Sequence, residues 1–212
     1  MKENFGIYLI TPNKIDLQNF KNDFERALMT NYVSYVQLRL KDCTDEILLE
    51  SAYALLKITK NYDVPLLIND RPDIAKQSGA DGVHIGQNDC SVSYARQLLG
   101  TESIIGVTCH NSIDLACHAV NLGADYVAFG AFYKTVSKKI DYYAEITILE
   151  WWKKISNIPC VAIGGITKSN FTPLLNQGAN YVAVISSVWK HPKGPAFALN
   201  EYYKVFSELN NK

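Results

Sequence analysis

No apolar run in this 212-residue chain reaches the roughly 18 residues that a membrane-spanning helix requires. Neither sign of charge is in excess: 21 Lys plus Arg face 21 Asp plus Glu. No global field therefore favours nucleic acid or an anionic membrane, and any anion site must be local. Paired cysteines are missing too. Cys43, Cys90, Cys109, Cys117 and Cys160 are scattered, odd in number and without a C-x-x-C, which argues against a disulfide framework and a zinc site. There is no H-E-x-x-H, no nucleophilic triad, and no G-x-G-x-x-G after the first strand-like run. The N-terminal MKENFGIYLITP has neither a basic region followed by a long apolar stretch nor a small-residue cleavage site, so a cytoplasmic protein without membrane or nucleic-acid partners is expected. With 48% hydrophobic residues and no low-complexity segment, residues 1–212 are expected to form one domain.

What is present is a repeated alternation. Eight short apolar runs, GIYLIT, YVQLRL, VPLLIND, GVHIG, IIGVTC, YVAFGA, CVAIGGI and YVAVISS, are separated by stretches of helical length and pattern. Those stretches include 45–62, 91–99, 112–122, 145–155 and 195–209. Nearly continuous apolar strands joined through helices imply a parallel sheet covered on both faces. The segments GADGVHIG, GADYVAFG and GANYVAVI share a Gly that can end a helix and an Asp or Asn that turns the chain into a strand. Eight such units predict an α/β fold, a single (β/α)8 TIM barrel of parallel strands.

In YVQLRLKD, period-two alternation puts Val36, Leu38 and Leu40 on one face and Gln37, Arg39 and Lys41 on the other. In a barrel, the polar row points inward at the C-terminal mouth, where active sites of this fold sit. Other strand ends bring Asn69 and Asp70, then Gly86 with Asp89 nearby, then Thr108 and His110. Asp70 and Asp89 supply hard oxygen ligands suited to a Mg²⁺ shared with a phosphate; each also reads as a helix cap, ahead of Pro72 and of Ser91 respectively. GAFYKTVSKK offers Thr135, Ser137, Lys138 and Lys139 as an anion-gripping lid or a solvated turn, and Gly164–Gly165 with Ile185–Ser186 reads as a backbone phosphate cradle. The mouth thus has two anion sites. Trp151, Trp152 and Trp189 read equally as core or as an oligomer interface.

These motifs resemble the thiamine phosphate synthase family along almost the whole chain: GIYLITP, Q-x-R-x-K, L-I-N-D-R-x-D-I-A, G-A-D-G-V-H-I-G-Q-x-D, I-G-V-T-x-H, A-I-G-G-I and V-A-V-I-S. The resemblance implies that Gln37, Arg39, Lys41 and Asn69 hold an aminopyrimidine and its pyrophosphate. It makes Asp70 and Asp89 magnesium ligands and places Thr108 near the pyrophosphate. Thr135, Ser137 and Lys138 would contact the thiazole phosphate and pyrophosphate, with Gly165, Ile185 and Ser186 cradling the thiazole phosphate. Arg39, Lys41 and Lys138 would stabilise the leaving group. A homodimer is a further family expectation. The chain departs from the pattern at Leu40, where many members have Glu, and at Lys134, Ser137 and Ile140 in the loop, which implies a less rigid lid. Two rivals share the scaffold: a thiazole tautomerase with His110 as acid/base, which needs no pyrophosphate and magnesium set, and a non-catalytic sensor of thiazole phosphate.

Overall fold

The computed structural model describes residues 6–134 and 143–210. Its strands are β1 (Gly6–Ile10), β2 (Val33–Leu38), β3 (Leu66–Asn69), β4 (Gly82–Ile85), β5 (Ile104–His110), β6 (Tyr126–Gly130), β7 (Cys160–Ile163) and β8 (Tyr181–Val184). They pair in chain order, all parallel, and β8 closes on β1. Among the described residues the helices are α1 (Leu17–Leu28), α2 (Asp45–Thr59), α3 (Pro72–Ser78), α4 (Val92–Leu99), α5 (Ile113–Asn121), α6 (Thr147–Ile155), α7 (Thr172–Asn176), α8 (Ser186–Trp189) and α9 (Pro195–Asn210). The expected (β/α)8 barrel is what forms.

Alternation along each strand separates two cores. Ile7, Leu9, Val36, Leu38, Val83 and Ile105 pack outward with Phe24, Leu55 and Ala95 of the helices. Tyr8, Ile10, Leu67, Tyr126, Val161 and Ala183 fill the barrel interior. Because both faces are covered, every residue of β1, β4 and β6 is buried. Helix starts follow local chemistry: Asp16, Thr44, Ser91 and Ser112 each accept a hydrogen bond from a first-turn backbone N–H.

The three Gly-Ala-Asp/Asn turns do more than reverse the chain. Each glycine adopts a positive φ, 71° at Gly79, 98° at Gly123 and 114° at Gly178. The following acid or amide then grips the preceding strand at two points. Asp81 N–H donates to Leu66 O at 3.0 Å while its Oδ2 accepts from Leu66 N–H at 2.7 Å. Asp125 does the same with Ile105, at 2.8 and 2.7 Å, and Asn180 with Cys160, at 3.0 and 2.8 Å. The repeat is a register pin, fixing β3 to β4, β5 to β6 and β7 to β8.

Arg96 reinforces the middle pin. Its guanidinium donates to Gly100 O at 2.9 Å, Ser103 O at 2.6 Å, Gly123 O at 2.7 Å and Asp125 Oδ2 at 2.7 Å. Arg96→Met keeps the aliphatic stem and removes these donors, leaving carbonyls without partners. The expected loss of stability is about 2–3 kcal/mol, read as a lower urea midpoint at constant slope; an unchanged midpoint would contradict this role.

Trp152 is buried and donates to Ile158 O at 2.8 Å, and Trp189 packs on Phe20 and donates to Ile10 O at 2.7 Å, so both serve the core. Trp151 is 61% exposed. All five cysteines are free thiols, and burial pushes Cys109 up to about 12 and Cys160 up to about 11, as befits packing residues. No described helix is long and apolar enough to cross a membrane. A cavity of about 160 Å³ opens at the N-terminal end of the strands, lined by Tyr35, Glu102, Asp125, Pro159 and Tyr181 among others. It lies at the end opposite the polar strand termini.

Candidate active site

The C-terminal mouth gathers residues from every side of the barrel. Gln37, in β2, is only 2% exposed, and its Nε2 has no hydrogen-bond partner among the described residues. Such a buried donor costs about 1–3 kcal/mol unless a ligand acceptor meets it. Just past the strand, Arg39 is held through its backbone N–H, which donates to Thr11 Oγ1 at 2.9 Å, and through its guanidinium, which donates to Asn13 Oδ1. Burial lowers the Arg39 pKa against the pull of Asp70, but a guanidinium remains charged. Leu40 packs outward on the helix-side core, so the departure from Glu there leaves the mouth untouched.

Lys41 Nζ donates to Asp70 Oδ2 at 2.9 Å. Asp70 sits at φ 64°, a left-handed conformation uncommon for a side-chain-bearing residue, and its N–H donates to His84 O at 2.8 Å. It caps no helix: α3 begins after Arg71 with no side-chain cap. Nor does Asp89 cap α4, which Ser91 does; Asp89 Oδ2 instead accepts from Gly86 N–H at 2.8 Å. Both carboxylates are thereby freed for the mouth. Burial alone raises Asp70, but hydrogen bonds from Lys41 and Asp89 outweigh it and hold Asp70 below the usual carboxylate range. Burial, then the Asp70 charge, pushes Asp89 up. Two carboxylates that perturb one another form a donor pair that a hard divalent cation fits, with its remaining positions left to water and ligand oxygens.

Asn69 ends β3, half-buried and in register with His84. Thr108 Oγ1 lies 2.8 Å from His84 Nε2, and Thr108 O accepts from Gln87 Nε2 at 2.6 Å. His110 ends β5 at φ 52°. Across the mouth, Gly165 has φ 63°, and a Cβ there would lie 2.2 Å from Lys134 O. The β6–α6 loop leans on this turn: Phe132 N–H donates to Ile163 O at 3.1 Å and Tyr133 N–H to Gly164 O at 3.0 Å. Thr135, Ser137 and Lys138 lie outside the described residues. Ile185 and Ser186 open the short α8, backed by Ser187, whose Oγ donates to Ile166 O at 2.9 Å.

Sequence reasoning missed an interior polar file. Tyr8, Tyr126 and His84 meet inside the barrel, with Tyr8 Oη to Tyr126 Oη at 2.7 Å and Tyr126 Oη to His84 Nδ1 at 2.8 Å. The available signal was an imidazole at an inward position of an otherwise apolar strand, GVHIG.

Fold and mouth together define a (β/α)8-barrel enzyme whose site sets cations against paired carboxylates. The family profile described as thiamine monophosphate synthase matches residues 7–188. A thiamine-phosphate synthase of Rhodospirillum centenum is 47% identical over 199 residues, covering 94% of this chain and 96% of the relative. One from Hyphomonas neptunium is 44% identical over 208 residues, covering 96% and 94%. The solved thiamine phosphate pyrophosphorylase of Pyrococcus furiosus superposes with a TM-score of 0.83 at 28% identity, covering 97% of each chain. The chain belongs to the thiamine monophosphate synthase family.

Proposed function

We propose that residues 1–212 form one catalytic domain that joins an aminopyrimidine-methyl diphosphate to a thiazole phosphate, giving thiamine phosphate and pyrophosphate. The observation that carries this reading is the Lys41–Asp70–Asp89 charge set at the mouth with Arg39, together with Gln37 Nε2, which has no partner among the described residues. A tautomerase or a sensor of thiazole phosphate has no use for that set.

Bond cleavage precedes bond formation in this reading. Electron release from the 4-amino group lets the CH2–O bond break, the electron pair leaving with pyrophosphate. The thiazole nitrogen then captures the pyrimidinylmethyl cation, so the protein needs no nucleophile. Gln37 and Asn69 orient the pyrimidine; Arg39, Lys41 and Lys138 take up the charge of the departing pyrophosphate, and Thr108 donates to it. Asp70 and Asp89 would hold Mg²⁺, which would supply Lewis-acid charge to the leaving group. The backbone at Gly165, Ile185 and Ser186, with Thr135 and Ser137, positions the thiazole phosphate.

With both substrates supplied, pyrophosphate and thiamine phosphate should appear one to one. Pyrophosphate release without thiamine phosphate would contradict the coupling. A pH effect follows from Asp89. Its raised pKa means that a proton competes with the metal, so metal binding releases a proton and weakens as pH falls. The Mg²⁺ concentration for half-maximal rate should therefore rise as pH falls toward the raised pKa of Asp89. A value that stays constant down to the pH at which the protein unfolds would contradict competition between proton and metal at Asp89.

A further inference from the structure

Four side chains from β1, β6, β4 and β5 form one hydrogen-bonded file from the barrel interior to the mouth: Tyr8, Tyr126, His84 and Thr108. The links measure 2.7 Å, 2.8 Å and 2.8 Å. The first three residues are 2%, 5% and 8% exposed, while Thr108 is half-buried at the mouth. Space for the file is built into the barrel: a Cβ at Gly106 would lie 1.8 Å from Cζ of Tyr126. The His84 and Tyr126 rings stack with centroids 5.6 Å apart.

A hydroxyl carries one proton and a neutral imidazole one N–H, so with His84 neutral the file has two self-consistent polarities. In one, Thr108 O–H donates to His84 Nε2 and the protons run down to Tyr8. That leaves only lone pairs of Thr108 facing the mouth, which an anion disfavours. In the other, Tyr8 donates to Tyr126, Tyr126 to His84 Nδ1, and His84 Nε2–H to Thr108 Oγ1, leaving Thr108 O–H to donate to an anion. Burial pushes both phenols up, so each keeps the proton this polarity needs.

We propose that His84 is a positioning residue, held by Tyr126 and Tyr8 as the Nε2–H tautomer so that Thr108 presents its O–H to the leaving pyrophosphate. This rests on the synthase reading for the identity of the anion. The tautomer is read by ¹⁵N–¹H multiple-bond NMR of the full chain with Mg²⁺ and inorganic pyrophosphate, with His84→Gln used for assignment. The neutral Nε2–H form is expected, and either the Nδ1–H form or the doubly protonated imidazolium would overturn the proposal.

In kinetics, His84→Phe should lower kcat about tenfold with KM for thiazole phosphate within about twofold of wild type. His84→Gln, whose amide N–H can replace Nε2–H, should recover most of the loss. In a Thr108→Val background, neither His84→Phe nor Tyr126→Phe should lower kcat further, because the hydroxyl they position is gone. Tyr126→Phe removes a single oxygen and serves the same test if His84→Phe does not fold. Multiplicative losses, or a folded His84→Gln no better than His84→Phe, would overturn the proposal. A wild type that makes no thiamine phosphate yet shows the Nε2–H form overturns the synthase reading and leaves the His84 geometry standing.

Discussion

Asp70→Asn is expected to lower kcat/KM by about two to three orders of magnitude, with little change in thermal stability. Asn is the fitting replacement because it tolerates the left-handed backbone at position 70, φ 64°, that alanine would strain. Its amide oxygen can still accept from Lys41, which Asp70 now holds at 2.9 Å, so the fold keeps that link. What disappears is the negative charge. Without it, Asp89 loses its neighbouring carboxylate and the pair no longer suits a divalent cation. The loss should fall on kcat and on the Mg²⁺ requirement, with KM for thiazole phosphate little affected. A variant that keeps wild-type turnover at wild-type Mg²⁺ would remove Asp70 from the mechanism.

Gly165→Ala should have the second largest effect, on the other substrate. At φ 63° an added Cβ meets the backbone oxygen of Lys134 at 2.2 Å, so either the turn or the root of the β6–α6 loop must move. The strain is about 1–3 kcal/mol, read as a lowered melting temperature. Because the same turn anchors Phe132 and Tyr133 and is the proposed phosphate cradle, KM for thiazole phosphate should rise by about tenfold or more. Mg²⁺ dependence should stay as in wild type. A KM unchanged in the presence of the expected stability loss would assign Gly165 to folding alone.

The barrel was legible because its strands are covered on both faces, which leaves eight short, nearly continuous apolar runs between longer helical stretches. Helices α3, α7 and α8 carried no readable period, since seven, five and four residues are too few for one. The Gly-Ala-Asp repeat announced a turn. That its carboxylate reaches across to an N–H at the start of the preceding strand depends on register, which spacing does not encode. The mouth read well where alternation fixed direction, as in Gln37, Arg39 and Lys41. For Asp70 and Asp89 taken alone, capping was the stronger reading of the sequence, and the structure sets it aside: α3 has no side-chain cap and Ser91 caps α4, which leaves ligation as the proposal. The file through His84 escaped notice because its links join residues 118, 42 and 24 positions apart. Such pairings become visible only when the barrel closes.

Purified full-length chain, supplied with aminopyrimidine-methyl diphosphate and thiazole phosphate and assayed by oxidation of the product to fluorescent thiochrome, tests the central claim most directly. Synthase chemistry at the Arg39, Lys41, Asp70 and Asp89 mouth predicts thiochrome signal that needs both substrates, disappears on chelation of Mg²⁺, returns when Mg²⁺ is restored, and nearly vanishes in Asp70→Asn. No signal from a folded wild type that still binds thiazole phosphate would contradict it and return the barrel to tautomerisation or ligand sensing.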